Sequence, residues 1–105
     1  MKKAVVFFVL LVSSLAYGME RFPRHPDPNL TPGVLCQSPD SHRYPEGIKY
    51  CERRVSSSTK GDVFRMYDQM GYRTREMKRQ NFKIDHFIPL CMGGGNEVKN
   101  LWPQH

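Results

Sequence analysis

Apolar positions follow three different patterns along this chain. From residue 4 to residue 16 they form an almost unbroken run, with Val-Val-Phe-Phe-Val-Leu-Leu-Val at its centre. Further on they become periodic: Val63, Met66, Tyr67 and Met70 fall at i, i+3, i+4 and i+7, one face of a helix and the natural core face. Ser56-Ser57-Ser58-Thr59 precedes that face as a capping run, Thr59 and Asp62 make a short-armed capping box, and Gly71 is a C-terminal stop. Elsewhere the pattern is short. Residues 48–55 alternate weakly, which predicts a short strand, and Phe82-Lys83-Ile84 reads as a strand that delivers Asp85 and His86. Pro89 ends regular pairing, and Gly93-Gly94-Gly95 predicts a tight or irregular loop.

The first apolar run follows Lys2 and Lys3 and ends at Ala16-Tyr17-Gly18, with small residues at the −3 and −1 positions of a cleavage site. Residues 1–18 therefore read as a secretory signal peptide cut after Gly18; the run is too short for a comfortable membrane span, which takes about 20 residues. The expected protein is secreted or periplasmic, with no membrane segment after cleavage. Residues 19–35 carry Pro23, Pro26, Pro28 and Pro32 and predict an extended, partly disordered leader. Residues 36–105 remain as one small domain with a thin core.

The full chain carries a net charge of +6, which falls when Lys2 and Lys3 leave with the signal. A modest positive balance suits a polyanionic partner without requiring one. Residues 73–80 concentrate it as a second, basic helix or a charged loop: either a solvated face or a patch that tracks phosphates. His25 and His42 lie in proline-rich and turn-rich surroundings and read as exposed. Cys36 and Cys51 bracket a loop rich in Pro, Ser, Asp and His and are natural disulfide partners in an exported chain. Closing such a loop stabilises by about 3 kcal/mol in the chain-entropy model. Cys91 is left over, as a free thiol, a cross-linking residue or one whose partner lies elsewhere. A Cys/His zinc site is the rival use of these residues, but no C-x-x-C spacing occurs.

Candidate chemistry gathers late in the sequence: Ile84-Asp85-His86-Phe87-Ile88-Pro89-Leu90, then Gly93-Gly94-Gly95-Asn96, then Asn100-Leu101-Trp102-Pro103-Gln104. Cleaving a phosphodiester needs a base for water and positive charge for the phosphate and the leaving alkoxide. A neutral histidine supplies the first, and a divalent cation on oxygen or imidazole ligands supplies the second. His86 is the candidate base and Asp85 the candidate ligand. Neighbours on a strand point to opposite sides, so the two share a site only at a bend or a strand end. Asn100 is expected either to take the second N–H of His86 or to brace the loop. Taken singly, these signals have plain structural readings: a bonded Asp-His pair, a glycine turn, and Leu101 and Trp102 as core plugs.

Taken together, the three strings resemble the HNH endonuclease family, and most of all its exported bacterial branch with an Asn-Leu-Trp-Pro-Gln ending. The likeness is strong over residues 84–104 and looser over residues 31–83. It implies an α+β fold, in which a disulfide-stapled region with a helix precedes a ββα-metal finger of two strands, a long loop and a helix. It implies one divalent metal ion (Mg, Mn or Zn), Asp85 as metal ligand, His86 as general base and Asn100 as the residue orienting that base. It also implies a further His or Asn ligand on a helix after the Asn. Only Leu101, Trp102, Pro103, Gln104 and His105 follow Asn100, too few for a helix. His105 is thus the candidate second ligand, and the chain reads as a C-terminally truncated form of a longer nuclease.

The expected function is hydrolysis of DNA or RNA with low sequence specificity. Two alternatives stand beside it: a non-catalytic nucleic-acid-binding remnant of such a nuclease, and a disulfide-stapled structural domain in which Asp85 and His86 merely bond each other.

Overall fold

The computed structural model describes residues 20–105; the expected signal peptide lies outside the described residues. The fold is α+β: among the described residues there are one α-helix and two small antiparallel sheets, with a Cys36–Cys51 disulfide. A first hairpin pairs β1 (Ser41–Arg43) with β2 (Ile48–Tyr50) inside the loop that the disulfide closes. The weakly alternating stretch ends as a strand at Tyr50 rather than at residue 55, because Cys51 is tied to Cys36 and the backbone beyond it is engaged by side chains of other segments.

Helix α1 spans Ser57–Met70. Its cap lies three residues before Thr59, at Ser56, whose Oγ accepts the Thr59 N–H at 3.1 Å. Asp62 instead pairs with Arg65 one turn on. At the far end the Gly71 N–H reaches the Asp68 and Tyr67 carbonyls. Asp68 then receives both the backbone N–H and the hydroxyl of Thr74, at 2.9 and 2.6 Å. That interaction opens residues 73–80 as short 3-10 turns at Thr74–Glu76 and Arg79–Asn81 rather than as a second long helix.

Strands β3 (Lys83–His86) and β4 (Leu101–Gln104) pair in the register Ile84 with Pro103, Asp85 with Trp102 and His86 with Leu101. The core lies between this sheet and α1: Val63, Phe64, Tyr67, Ile84, Leu101 and Trp102. Leu101 and Trp102 are core residues, as read from sequence. Met70 is exposed, and Phe64 takes its place in the apolar face.

The proline-rich residues 20–35 are built into this core, not draped beside it. Thr31 is fully buried. Its hydroxyl donates to the Leu101 carbonyl at 3.0 Å and meets the Tyr67 hydroxyl at 2.6 Å, and Tyr67 in turn accepts the Asp27 N–H at 3.0 Å. Since Thr31 spends its single proton on Leu101, Tyr67 must donate to Thr31, so the directions of the whole chain are fixed. Proline supplies an extended backbone with few donors to satisfy, which suits a segment laid across a core.

No helix among the described residues is long and apolar enough to cross a membrane. The disulfide is compatible with an extracellular environment.

Two phenols, Tyr67 buried and Tyr72 half-buried, set an alkaline limit on stability. Burial first, and then the hydrogen bond to Asp27, push Tyr72 up to about 12 from 10.0. Burial also raises Tyr67. Unfolded phenols ionise near 10 while the folded ones keep their protons, so stability holds below pH 10 and falls as pH rises towards about 12. Chemical unfolding measured from about pH 8 to about pH 11 checks this linkage. The expected outcome is a decline confined to the alkaline end and made shallower by Tyr72→Phe; an equally steep decline in that variant would count against it.

Candidate active site

His86 is the last residue of β3, where the sheet gives way to the loop leading to Gly93-Gly94-Gly95. Asn100 sits at the other end of that loop, fully buried, immediately before β4. All four hydrogen-bonding positions of its amide are used. Oδ1 accepts the Ile88 N–H at 3.0 Å and the Val34 N–H at 3.4 Å, while Nδ2 donates to the Gly95 carbonyl at 2.7 Å and the Ile88 carbonyl at 3.1 Å. The Asn100 carbonyl accepts the Phe87 N–H at 2.8 Å. Of the two roles read from sequence, the bracing role is therefore the one observed, and Asn100 does not bond His86.

The loop can close this tightly because of its glycines. A Cβ on Gly94 would overlap the Ile88 carbonyl and stand 3.0 Å from Asn100 Nδ2, and Gly93 takes φ 89°. The proline-rich segment runs alongside: Gly33 N–H to the Lys99 carbonyl, Gly95 N–H to the Val34 carbonyl and Cys36 N–H to the Gly93 carbonyl, at 3.0, 2.8 and 2.8 Å.

The bond to His86 comes instead from Asn96, which belongs to the Gly-Gly-Gly-Asn string but had no role of its own in the sequence reading. Asn96 Oδ1 lies 3.0 Å from His86 Nε2. Its amide cannot be turned over, because Nδ2 donates to the Glu52 carbonyl at 2.8 Å and Oδ1 also accepts the Arg54 N–H at 3.2 Å. An oxygen facing Nε2 requires the ring proton there. The other nitrogen, Nδ1, is then the bare one, and it faces Arg53 Nη1 at 3.4 Å, a donor only. Both sides of the ring agree on one neutral tautomer with its lone pair on Nδ1.

Arg53 was not legible as a site residue. It reaches His86 because Cys51 is bonded to Cys36, and its second nitrogen, Nη2, donates to the Ile84 carbonyl at 3.2 Å. Asp40 holds the neighbouring residues: its carboxylate accepts the Glu52 N–H at 2.9 Å and Arg54 Nη2 at 2.8 Å. Those two contacts, the backbone one foremost, keep Asp40 below the usual carboxylate range.

Asp85 is half-buried one position before His86. His105 is not brought to it. His105 follows Gln104, which pairs with Lys83 at the opposite end of the sheet, and its ring stacks on Phe22 at 4.3 Å and meets Phe82 edge-on at 5.2 Å between centroids. It lies three strand positions beyond the residue paired with Asp85, about 10 Å along β4. The pair Asp85 and His105 is thus not assembled as one ligand set. Among the described residues no three His, Cys, Asp or Glu side chains gather to hold a metal. Asp85 is the one carboxylate at this end of β3 that a divalent cation would use. Cys91 is exposed and free.

Compared with family models, with curated proteins and with solved structures, the chain matches none.

Replacing Asn100 by Ala leaves the Ile88 and Gly95 backbone groups without their buried partner. The expected cost is about 2–4 kcal/mol, since each orphaned buried polar group costs about 1–3 kcal/mol. Asn100→Asp also destabilises, because a carboxylate cannot donate to two carbonyls. Urea unfolding checks both; a change within about 0.5 kcal/mol, typical of surface substitutions, would remove Asn100 from its bracing role.

Proposed function

We propose that this protein is an exported, metal-dependent endonuclease of HNH type that hydrolyses DNA or RNA with little sequence preference. The observation that carries the reading is the His86 ring, fixed by Asn96 with its lone pair on Nδ1 beside a guanidinium. A fixed neutral imidazole is a general base, and a neighbouring arginine suits a phosphate. The resemblance over residues 84–104 supplies the reaction class.

In this reading a phosphodiester approaches the end of β3, and its oxygens draw Arg53 away from Nδ1. That shift uncovers the base only when substrate is present. Nδ1 then takes a proton from the attacking water, and the Nε2 proton stays on its bond to Asn96. Asn96 thereby keeps the imidazolium oriented, and Arg53 offsets charge on the phosphate. Asp85 is the residue that would hold a divalent cation, which supplies further charge for the phosphate and the departing alkoxide when bound. Asn100 acts at one remove, by fixing the loop that presents Asn96. The Cys36–Cys51 staple and the run of residues 4–16 support export.

The alternative, a non-catalytic nucleic-acid binder, draws on the same basic surface and differs in predicting no metal-dependent cleavage. Supercoiled plasmid incubated with the purified protein and Mg²⁺ or Mn²⁺ separates the two. Nicking that chelator abolishes is expected, with a loss of at least about 100-fold in His86→Ala, the scale of general-base catalysis. Asp85→Asn should lose the metal dependence in parallel. Undiminished cleavage by His86→Ala would overturn the assignment of the base.

A further inference from the structure

Beside His86, between the first turns of α1 and β3, the surface opens into a cleft of about 430 Å³. Four of the side chains on its walls are cations: Arg53, Lys60, Arg79 and Lys83. No carboxylate lines it. The basic segment 73–80 is divided by this geometry. Arg73 faces Glu76 at 3.8 Å, and Arg21 reaches the same carboxylate at 3.4 Å, so that end is neutralised within the protein. Arg79 turns the other way, into the cleft.

Two of the four cations are held in place. The Arg79 guanidinium lies over the Phe64 ring, 3.9 Å from its centroid, and Phe64 belongs to the core. Arg53 is anchored on the Ile84 carbonyl, and Ile84 lines the same cleft. Lys60 and Lys83 are exposed and complete the walls. Four like charges around one space repel one another, a cost that a polyanion would relieve. Arg53 is common to the cleft and to His86, so an anion in the cleft is next to the one at the base.

We infer that this cleft seats the phosphate that neighbours the scissile one on the same nucleic-acid strand. The inference rests on the nuclease reading for the identity of the strand, and it adds where the strand runs: from the end of β3 along the N-terminal half of α1. Its recognition is of backbone charge. Phe82, half-buried in the cleft wall, adds an apolar contact that is blind to base identity.

Binding of a fluorescein-labelled oligonucleotide duplex, followed by anisotropy in chelator so that cleavage is off, tests the cleft separately from catalysis. The probe variant is Lys60→Gln with Lys83→Gln. The control with the same charge change is Arg24→Gln with Lys99→Gln, outside the cleft. The expected result is at least a ten-fold weaker affinity for the cleft variant, with the slope of log affinity against log salt reduced by about 2. Lys60→Arg with Lys83→Arg, which keeps the charge, should bind as the unaltered protein does. Equal losses in cleft and control variants, or none in the cleft variant, would overturn the cleft even if the protein cleaves plasmid. Loss confined to the cleft variant, in a protein without metal-dependent cleavage, would uphold the cleft and overturn the nuclease reading.

Discussion

A single buried amide holds the working end of this small fold together. Asn100 satisfies the backbone at Ile88, Gly95 and Val34 at once, three places in two segments, the β3–β4 loop and the proline-rich stretch. Without it, the chain between β3 and β4 would have to bury those groups unpaired, at about 1–3 kcal/mol each. The glycine at position 94 is the other half of the same constraint, because the amide can reach Ile88 only if no side chain stands there. The loop's shape therefore follows from an amide with two donors and two acceptors meeting a backbone with no Cβ. A carboxylate, an alcohol or an apolar side chain has the wrong complement.

From that brace the site follows by short steps. The loop places Asn96 where its amide is clamped by Glu52 and Arg54, and the clamp decides which Asn96 atom His86 meets. Residues 52–54 are in turn fixed by the Cys36–Cys51 bond and by Asp40. A thin core of six buried residues would leave such a network loose, and the staple and the proline-rich segment supply what the core cannot. Thr31 and Val34 of that segment reach Leu101 and Asn100, so the segment steadies the strand behind the site as well as the loop in front of it.

The features legible in the sequence were those set by local pattern. Helical period placed the face of α1, Gly71 its end, and the apolar residues before Asp85 the strand β3. Proximity and loop composition paired Cys36 with Cys51. What escaped was decided by contacts far apart in sequence. Ser56 won the helix cap over Thr59 in a run where every residue is a competent cap. Thr31 and Asp27 are ordinary turn residues until Tyr67 meets them, so the proline-rich segment read as a partly disordered leader. Asn96 and Asn100 are chemically identical. Only the fold decides that the first faces His86 and the second faces the backbone. Arg53 carries no motif of its own and gains its place from the disulfide two residues earlier. His105 had the right chemistry for a ligand but packs against Phe22 and Phe82 at the other end of the sheet.

The functional account thus narrows to one ring. In the proposed function the cleft, the arginine and the cation that Asp85 would hold would all serve a base, and that proposal stands only if His86 presents a bare Nδ1. Long-range ¹H–¹⁵N correlation of the histidine side chains reads this directly, since protonated and bare ring nitrogens resonate far apart. At a pH where His86 is neutral, the account predicts the proton on Nε2 and none on Nδ1, with that preference lost in Asn96→Ala. A His86 ring protonated on Nδ1, or one that exchanges freely between both tautomers in the unaltered protein, would contradict it.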